Sequence, residues 1–594
     1  MRAYERGADR RLRSGEHPNR AIAIAWLGLS LLLCLVALPN IMAGRLPDPD
    51  DALRLVQVRD LMAGQGWFDV TQYRIAGPDG TPMHWSRLVD VPVALAIAFF
   101  DLFLAHPQAE TAALVLVPLL TFGATLACIG RLAWRLFDMQ VAVLSCLVTG
   151  LLTALVFQIQ PLRIDHHGWQ IAAVAFAVWA ISWRSHVRGG VGAGLAMAFG
   201  LAISIELLPV AAAFALVLFV RWWRERAARW WLVVYLQALA LGLGALFLAT
   251  RGVGDLAPYC DALSPAHLGF FLTAALGTGV VAAIPGLQRL GAFVLLGAVG
   301  VVALGFFGLS APQCLRTPFG ALDPLVRDFW YLNIAEGRPV WEQPFADIAP
   351  KIVHALAGLF AIALLVGRSS DWVRRWWTEY ALLYALILLQ AIFVARSFAF
   401  VAVLAAVPLG WLLSRMLVRL RQADGVPGKA AVAVALAAML VPGGLIAAVS
   451  SIASVGQARA SAPVREASCD PLARARNMDR LPAGTVFAPL DIGPAILLES
   501  DHSVVATSHH RAEDAMRDVI AAFIAKPADA EPIVRQRGAR YLALCSDLAE
   551  ARLYAAARPD GLAAQIIAGR EPEWLEPIAM PGADEFRLYR VRPR

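Results

Sequence analysis

Apolar runs long enough to cross a bilayer constrain this chain more than any motif does. Ala21–Ala43 is the first, an unbroken stretch without a charged residue. Hydrocarbon offers no water to backbone N–H and C=O groups, so a crossing segment must be a helix or part of a closed barrel. A crossing helix needs about 20 mostly apolar residues. Comparable runs follow at 111–132, 139–157, 169–184, 190–206, 207–220, 230–250, 268–286, 290–311, 349–367, 378–395, 397–415 and 430–450. That makes about thirteen spans. Composition agrees, with 16% charged residues against about 25% in a soluble chain. The fold class is therefore an α-helical polytopic membrane protein.

Charge sets the expected orientation. Residues 1–20 are polar and basic, with Arg2, Arg6, Arg10, Arg11, Arg13 and Arg20 ahead of the first span. Arginines before a span hold that end in the cytoplasm. Ala21–Ala43 is too long for a signal-peptide core and lacks a cleavage site, so it reads as a retained signal anchor. Val91–Ala105 is apolar but short. Counting it as a span would place Arg131 and Arg135 outside; reading it as an interfacial or re-entrant helix keeps them inside. With that choice, Arg184, Arg188, 221–229, Arg289, Arg374, Arg375 and 415–429 fall inside. Asp50, Asp165, Asp255, Asp323 and Glu336 fall outside. The net charge of +7 then reflects cytoplasmic loops, not nucleic-acid binding. The expected location is a bacterial inner membrane, multi-pass, with a cytoplasmic N-terminus.

Three regions follow: a basic N-terminus at 1–20; a transmembrane region at 21–450 with long outer loops 44–110 and 311–348; and a periplasmic α/β domain at 451–594. The last mixes strand-like runs at Thr485–Leu490, Ser503–Thr507, Tyr541–Leu544 and Glu585–Val591 with a helix over Arg511–Ile524. Cys34, Cys128 and Cys146 lie in spans, where cysteine is a core residue. Cys260, Cys314, Cys469 and Cys545 face outside, where disulfides persist, and Cys469 with Cys545 is a plausible pair. No phosphate loop or glycine-rich dinucleotide turn occurs.

Polar features gather on the outer loops. Asp50 and Asp51 open a helix-like run directly after the first span. Arg163-Ile164-Asp165-His166-His167 ends the third span. Asn333-Ile334-Ala335-Glu336-Gly337-Arg338-Pro339 lies in the late loop, and Arg396 separates two apolar spans. Each also has a plain structural reading. Asp50 or Asp51 can cap a helix, the histidines can cap a span, Glu336 can be an ordinary loop acid, and Arg396 can be an interfacial anchor. Carboxylates with one imidazole suit a divalent cation: oxygen ligation favours Mg2+ or Mn2+, and histidine shifts the preference towards Mn2+ or another transition metal. A lone arginine at the membrane face suits a phosphate.

The run from Asp50 to Gly64, Asp-Asp-Ala-Leu-Arg-Leu-Val-Gln-Val-Arg-Asp-Leu-Met-Ala-Gly, resembles the first-loop motif of oligosaccharyltransferase catalytic subunits. An acid precedes a similar Ala-Arg-Asp-Met-Ile-Ala-Gly run at this offset in bacterial members, which singles out Asp50. Asp165-His166-His167 resembles the second acidic motif, Asp-His-His in archaeal members. Asn333-Ile334-Ala335-Glu336 with Pro339 resembles the late-loop Ser-Val-Ser-Glu or Thr-Ile-x-Glu motif. Arg396-Ser397-Phe398-Ala399-Phe400 resembles the segment whose arginine contacts the lipid-linked phosphate. Family members have thirteen spans and a C-terminal domain outside, so the resemblance covers most of 21–450.

The resemblance implies a GT-C superfamily membrane glycosyltransferase with a polyprenyl phosphate- or diphosphate-linked sugar donor. Asp50, Asp165 and His167 would hold the divalent cation, Mn2+ or Mg2+. Asp50 and Glu336 would be catalytic, and Arg396 would hold the donor phosphate. Asp51, His166, Asp491, His509 and His510 are possible acceptor-site residues. The family's Trp-Trp-Asp-Tyr-Gly is reduced here to Leu490-Asp491-Ile492-Gly493, which moves the expected acceptor from protein asparagine towards a lipid or polysaccharide. Bacterial relatives act as single chains. Two other readings stand beside this one. A lipid or polysaccharide transporter would place charges at mid-span, whereas these acids cluster at outer ends. A non-catalytic scaffold with a dead site would not need to retain the acids and Arg396.

Overall fold

The computed structural model describes residues 17–316, 319, 322–444, 469–580 and 585–593. Expectations for 1–16, for the end of the last span and for the start of the tail (445–468) fall outside these residues.

The chain is mostly helical. Among the described residues, ten helices are long and apolar enough to cross a membrane. Shorter apolar helices lie at Met139–Thr149, His167–Ile181 and Gly425–Leu440. Together they coincide with every run read from the sequence. Two runs are less regular than expected. The run 139–157 breaks after Thr149 and resumes as a short turn at Thr153–Val156. The junction of 190–206 with 207–220 is no bare corner: Ser204 is extended, and a 3-10 turn spans Ile205–Leu207.

The chain divides into two compact units. One comprises Met1–Ile41, Leu104–Leu315 and Ala335–Arg459; the other comprises Met42–Phe103, Arg316–Ile334 and Ala460–Arg594.

In the first unit, burial ranks the helices. The most apolar stretch of Ala395–Gln422 is 89% buried, whereas that of Arg289–Ser310 is 11% buried. The former is a central helix and the latter a peripheral one. Lipid is as apolar as leucine, so close packing and hydrogen bonds must hold the helices together. Tyr380 donates to the Leu404 carbonyl at 2.6 Å, Tyr384 to Ala355 at 2.7 Å and Tyr235 to Ala211 at 2.8 Å. Gly194 lets helix His186–Ile203 approach Arg229–Thr250, because a Cβ there would collide with the Tyr235 carbonyl oxygen. A disulfide joins Cys260 to Cys314.

The second unit builds one body from distant segments. Strands β1 (Thr71–Gln72) and β2 (Thr81–Pro82) pair antiparallel. The C-terminal sheet contains β3 (Thr485–Phe487), β4 (Ser503–Val504), β5 (Tyr541–Cys545), β6 (Leu575–Pro577) and β7 (Phe586–Val591), in the order β4-β3-β5-β7-β6. The β3–β4 and β3–β5 pairs are parallel, and β5–β7 and β6–β7 antiparallel. The expected strands are present: β3, β4 and β7 are shorter than expected, β5 runs one residue further to Cys545, and β6 was not expected. The expected helix begins at Glu513 and ends at Ile524. Cys469 and Cys545 are disulfide-bonded.

Arginines tie the first loop to this domain. Arg59 donates to the Leu498 carbonyl at 2.7 Å, and Arg74 to Leu497 at 2.7 Å and Ser500 at 2.8 Å. They supply donors to the exposed carbonyls at the end of helix Gly493–Glu499, groups that no intrahelical N–H can reach. The Arg74–Ala76 backbone also pairs with Val504. A buried ionic cluster braces the loop: Arg54 lies 3.0 Å and Arg87 3.3 Å from the Asp90 carboxylate.

Candidate functional site

The first unit brings five of the sequence-selected residues together, Asp165, His166, His167, Glu336 and Arg396, four of them on loops or short turns between helices. Leu162 adopts a left-handed backbone with φ 72. A side chain beyond Cβ makes that conformation costly, by about 1 kcal/mol or more. The Leu162 N–H, bonded to the Leu114 carbonyl at 2.9 Å, holds it there. The bend turns Arg163, Asp165 and His167 inward, all of them buried. Helix His167–Ile181 starts immediately afterwards, so Asp165 lies at the positive end of a helix dipole.

Asp165 is the centre of the cluster. Its Oδ1 accepts from the His166 backbone N–H at 2.7 Å and lies 2.6 Å from His166 Nδ1. Its Oδ2 lies 3.4 Å from His167 Nε2 and 3.8 Å from Arg163. His167 Nε2 is also 3.6 Å from Glu336, which occupies the 3-10 turn Ala335–Gly337. Arg396, in the turn Ala395–Ser397, lies 3.3 Å from Glu336 and 2.6 Å from Glu206. The Ala395 N–H bonds the Arg338 carbonyl at 3.1 Å, which fixes one turn against the other.

The electrostatics follow from that crowding. Desolvation alone would raise the Asp165 carboxyl, but His166, His167 and Arg163 hold it well below the usual carboxylate range. Desolvation likewise opposes ionisation of Glu336, and His167, Arg396 and Arg163 outweigh it. Both acids are therefore anions at neutral pH. Donor atoms of Asp165, His166 and His167 lie within 4.8 Å of one another. His166 Nε2 is buried without a hydrogen-bond partner among the described residues. One carboxylate with imidazoles is a donor set that fits a divalent transition cation.

Within this cluster, sequence reading missed Glu206. It was visible as an acid between two apolar runs, but a contact with Arg396, far along the chain, has no sequence pattern.

The other selected residues belong to the second unit. The helix Pro49–Met62 is capped by Asp48, not by Asp50 or Asp51; Asp48 accepts from the Asp50 N–H at 3.0 Å. Asp50 is half-buried and Asp51 fully buried in its first turn. The Asp491 N–H donates to Glu550 at 2.9 Å and the Leu490 N–H at 2.8 Å. The Asp491 side chain reaches water, yet the protein around it desolvates the carboxyl, and with Asp48 raises it to about 6. Burial and Asp491 raise Glu550 to about 8. His509 Nε2 lies 2.7 Å from His84 Nδ1, and His510 stacks on Trp330 at 5.9 Å. His84, Trp330 and Glu550 were not selected from the sequence.

No known family profile matches the chain, and no curated protein matches it in sequence. Solved structures do match. The archaeal oligosaccharyltransferase AglB from Archaeoglobus fulgidus, in complex with an inhibitory peptide and a dolichol-phosphate, is similar over 91% of this chain and 71% of its own, with TM-score 0.64 and 15% identity. The Archaeoglobus fulgidus oligosaccharyltransferase in the apo form is similar over 93% of this chain and 73% of its own, with TM-score 0.65 and 15% identity. A crystal structure of the Archaeoglobus fulgidus oligosaccharyltransferase in complex with Zn and sulfate is similar over 96% of this chain and 73% of its own, with TM-score 0.61 and 15% identity. The chain thus shares the fold of these structures: a polytopic helical region with a small C-terminal sheet region.

Proposed function

We propose that this protein is a glycosyltransferase that uses a sugar or oligosaccharide carried on polyprenyl phosphate or diphosphate. One observation carries the reading: Asp165, His167, Glu336 and Arg396 converge within a few ångströms in a fold shared with an oligosaccharyltransferase. The solved relative that holds dolichol-phosphate supports a lipid-linked donor, and the one with Zn and sulfate supports a cation.

The reaction is displacement at the anomeric carbon. The acceptor forms the new glycosidic bond, and the lipid phosphate leaves with the electrons of the broken bond. Arg396, half-buried and held between Glu206 and Glu336, presents a planar, permanently charged fork to that phosphate. Asp165 and His167 would hold the divalent cation, Mn2+ or Mg2+, whose charge stabilises the departing phosphate. Glu336 keeps His167 and Arg396 in place and is ionised for that task. Asp50 takes the role the sequence resemblance gives it, a ligand and acceptor-orienting carboxylate. Asp51, His166, Asp491, His509 and His510 are proposed for the acceptor side. The acceptor is a lipid, polysaccharide or protein. No activated nucleotide is available outside a cell, so a lipid-carried donor suits chemistry on the outer face of the inner membrane.

The test is reconstitution of the purified chain with Mn2+ and polyprenyl-linked sugars from its host. Mass spectrometry follows release of polyprenyl phosphate or diphosphate and the mass gained by the acceptor. Metal-dependent release that is lost in Asp165→Asn and in Asp50→Ala supports the reading. Equal release from the wild type and Asp165→Asn overturns it. Movement of intact lipid-linked sugar without cleavage would point to a transporter.

A further inference from the structure

A second polar cluster in the membrane unit plays no part in the proposed transfer. Helices Phe345–Arg368, Phe398–Gln422 and Gly425–Leu440 surround a cavity of ≈ 570 Å³. Arg368, Arg415 and Arg419 line one end, and Phe360, Leu364 and Met439 are among the residues of its apolar wall. The sequence builds this gradient twice. Phe360, Leu364 and Arg368 recur at four-residue steps and so share one helix face. Leu412, Met416 and Arg419, at steps of four and three, share a face of the second helix. Both stripes run from apolar to cationic in the same chain direction.

The arginines gather at one point. The guanidinium carbons of Arg368 and Arg415 each lie 5.9 Å from the centre of the Trp411 ring. Among the described residues, no carboxylate forms an ion pair with Arg368, Arg415 or Arg419. Arginines at span ends often mark only the cytoplasmic side, but such residues need not line a cavity with apolar walls. The volume is that of a ligand pocket.

We propose that this cavity binds an anionic phospholipid, the phosphate against Arg368, Arg415 and Arg419 and the acyl chains along the apolar wall. Charge complementarity selects the head group: three cations without acidic partners favour an anion over a zwitterion. The apolar stripes select a lipid over free phosphate, which would leave Phe360, Leu364 and Met439 without a partner. The site is independent of the proposed glycosyl transfer.

Native mass spectrometry of the delipidated full-length protein in detergent tests this. The probes are phosphatidylglycerol, phosphatidylethanolamine and inorganic phosphate. The expected result is preferential retention of phosphatidylglycerol, undisturbed by millimolar phosphate. The combined variant Arg368→Gln, Arg415→Gln, Arg419→Gln should lower that retention by about 100-fold. Ala435→Trp, which fills the apolar wall and keeps every arginine, should lower it as well. Arg188→Gln, at an exposed arginine of another span, should not. Unchanged phosphatidylethanolamine adducts and thermal unfolding would show that the variants remain folded. Equal retention of both lipids, displacement by phosphate, or an equal loss in Arg188→Gln would overturn the proposal.

Discussion

Two clusters of charge in this protein resemble each other in composition and differ in setting. In the second unit, Arg54, Arg87 and Asp90 are sealed, with side chains 0–1% exposed. In the first unit, Asp165 is also buried, but Glu336 is 34% and Arg396 22% exposed. The sealed cluster links the helix Pro49–Met62 to the helix Arg87–Phe100 and admits no further molecule. The open one crowds carboxylates, imidazoles and a guanidinium onto loops and turns beside a strained backbone. Buried charge that reaches no solvent holds structure together; buried charge with one face open is placed to meet a ligand.

If that contrast is right, the two clusters fail differently. Asp90→Ala leaves Arg54 and Arg87 charged and buried, and removing one partner of a buried pair costs about 3–5 kcal/mol. Thermal unfolding in detergent should show a large fall in Tm. A stable Asp90→Ala protein would break the comparison. Asp165→Asn should leave Tm within a few degrees and lower lipid-phosphate release by about 100-fold or more, a catalytic loss of ~2.7 kcal/mol. A variant that unfolds instead would move Asp165 to the structural side.

The Asp491–Glu550 pair gives a smaller effect with a defined sign. Glu550, raised to about 8, keeps in the folded chain a proton that the unfolded chain releases near the ordinary value of about 4.3. Folding then binds protons between these values, so stability is greatest at low pH and falls as pH rises through about 8. Between pH 6 and 9 the Tm should drop by ~3 °C, and Glu550→Gln should flatten that slope. The smallest effect belongs to Arg476, paired with Glu499 at 2.6 Å with half of its side chain in water. Arg476→Ala should change stability by less than about 1 kcal/mol, and less still in high salt. A larger change there would show that exposure alone does not separate structural from dispensable charge.

Much of the first unit was legible in the sequence. Spans are local: length and apolarity decide them, and each run read as a span holds a helix among the described residues, the last one from Gly425 to Leu440. The break inside 139–157 was not legible, because Gly150-Leu151-Leu152 carries no charge or proline; the junction at 206/207 was legible, but the 3-10 turn Ile205–Leu207 that holds Glu206 there was not. Asp165, His167, Glu336 and Arg396 stood out as polar groups beside long apolar stretches, where an unneeded charge is costly. Glu206 did not, because its pairing with Arg396 is made in space. In the second unit β3, β4, β5 and β7 were legible, whereas β1, β2 and β6 and the strand ends were not, since pairing partners set where each strand forms and stops.

By itself the sequence determined that this chain is a polytopic helical protein, because a hydrocarbon-length apolar run has no other stable form in a bilayer. It also marked the short polar segments that carry the candidate chemistry. Only the tertiary structure decided which of these meet. It grouped Met42–Phe103 with the C-terminal sheet, joined Glu206 to Arg396, placed His84 against His509 and enclosed three arginines around an apolar cavity. Each of these depends on contacts between residues tens or hundreds of positions apart. Burial and electrostatics act through distance in space, which sequence separation does not encode.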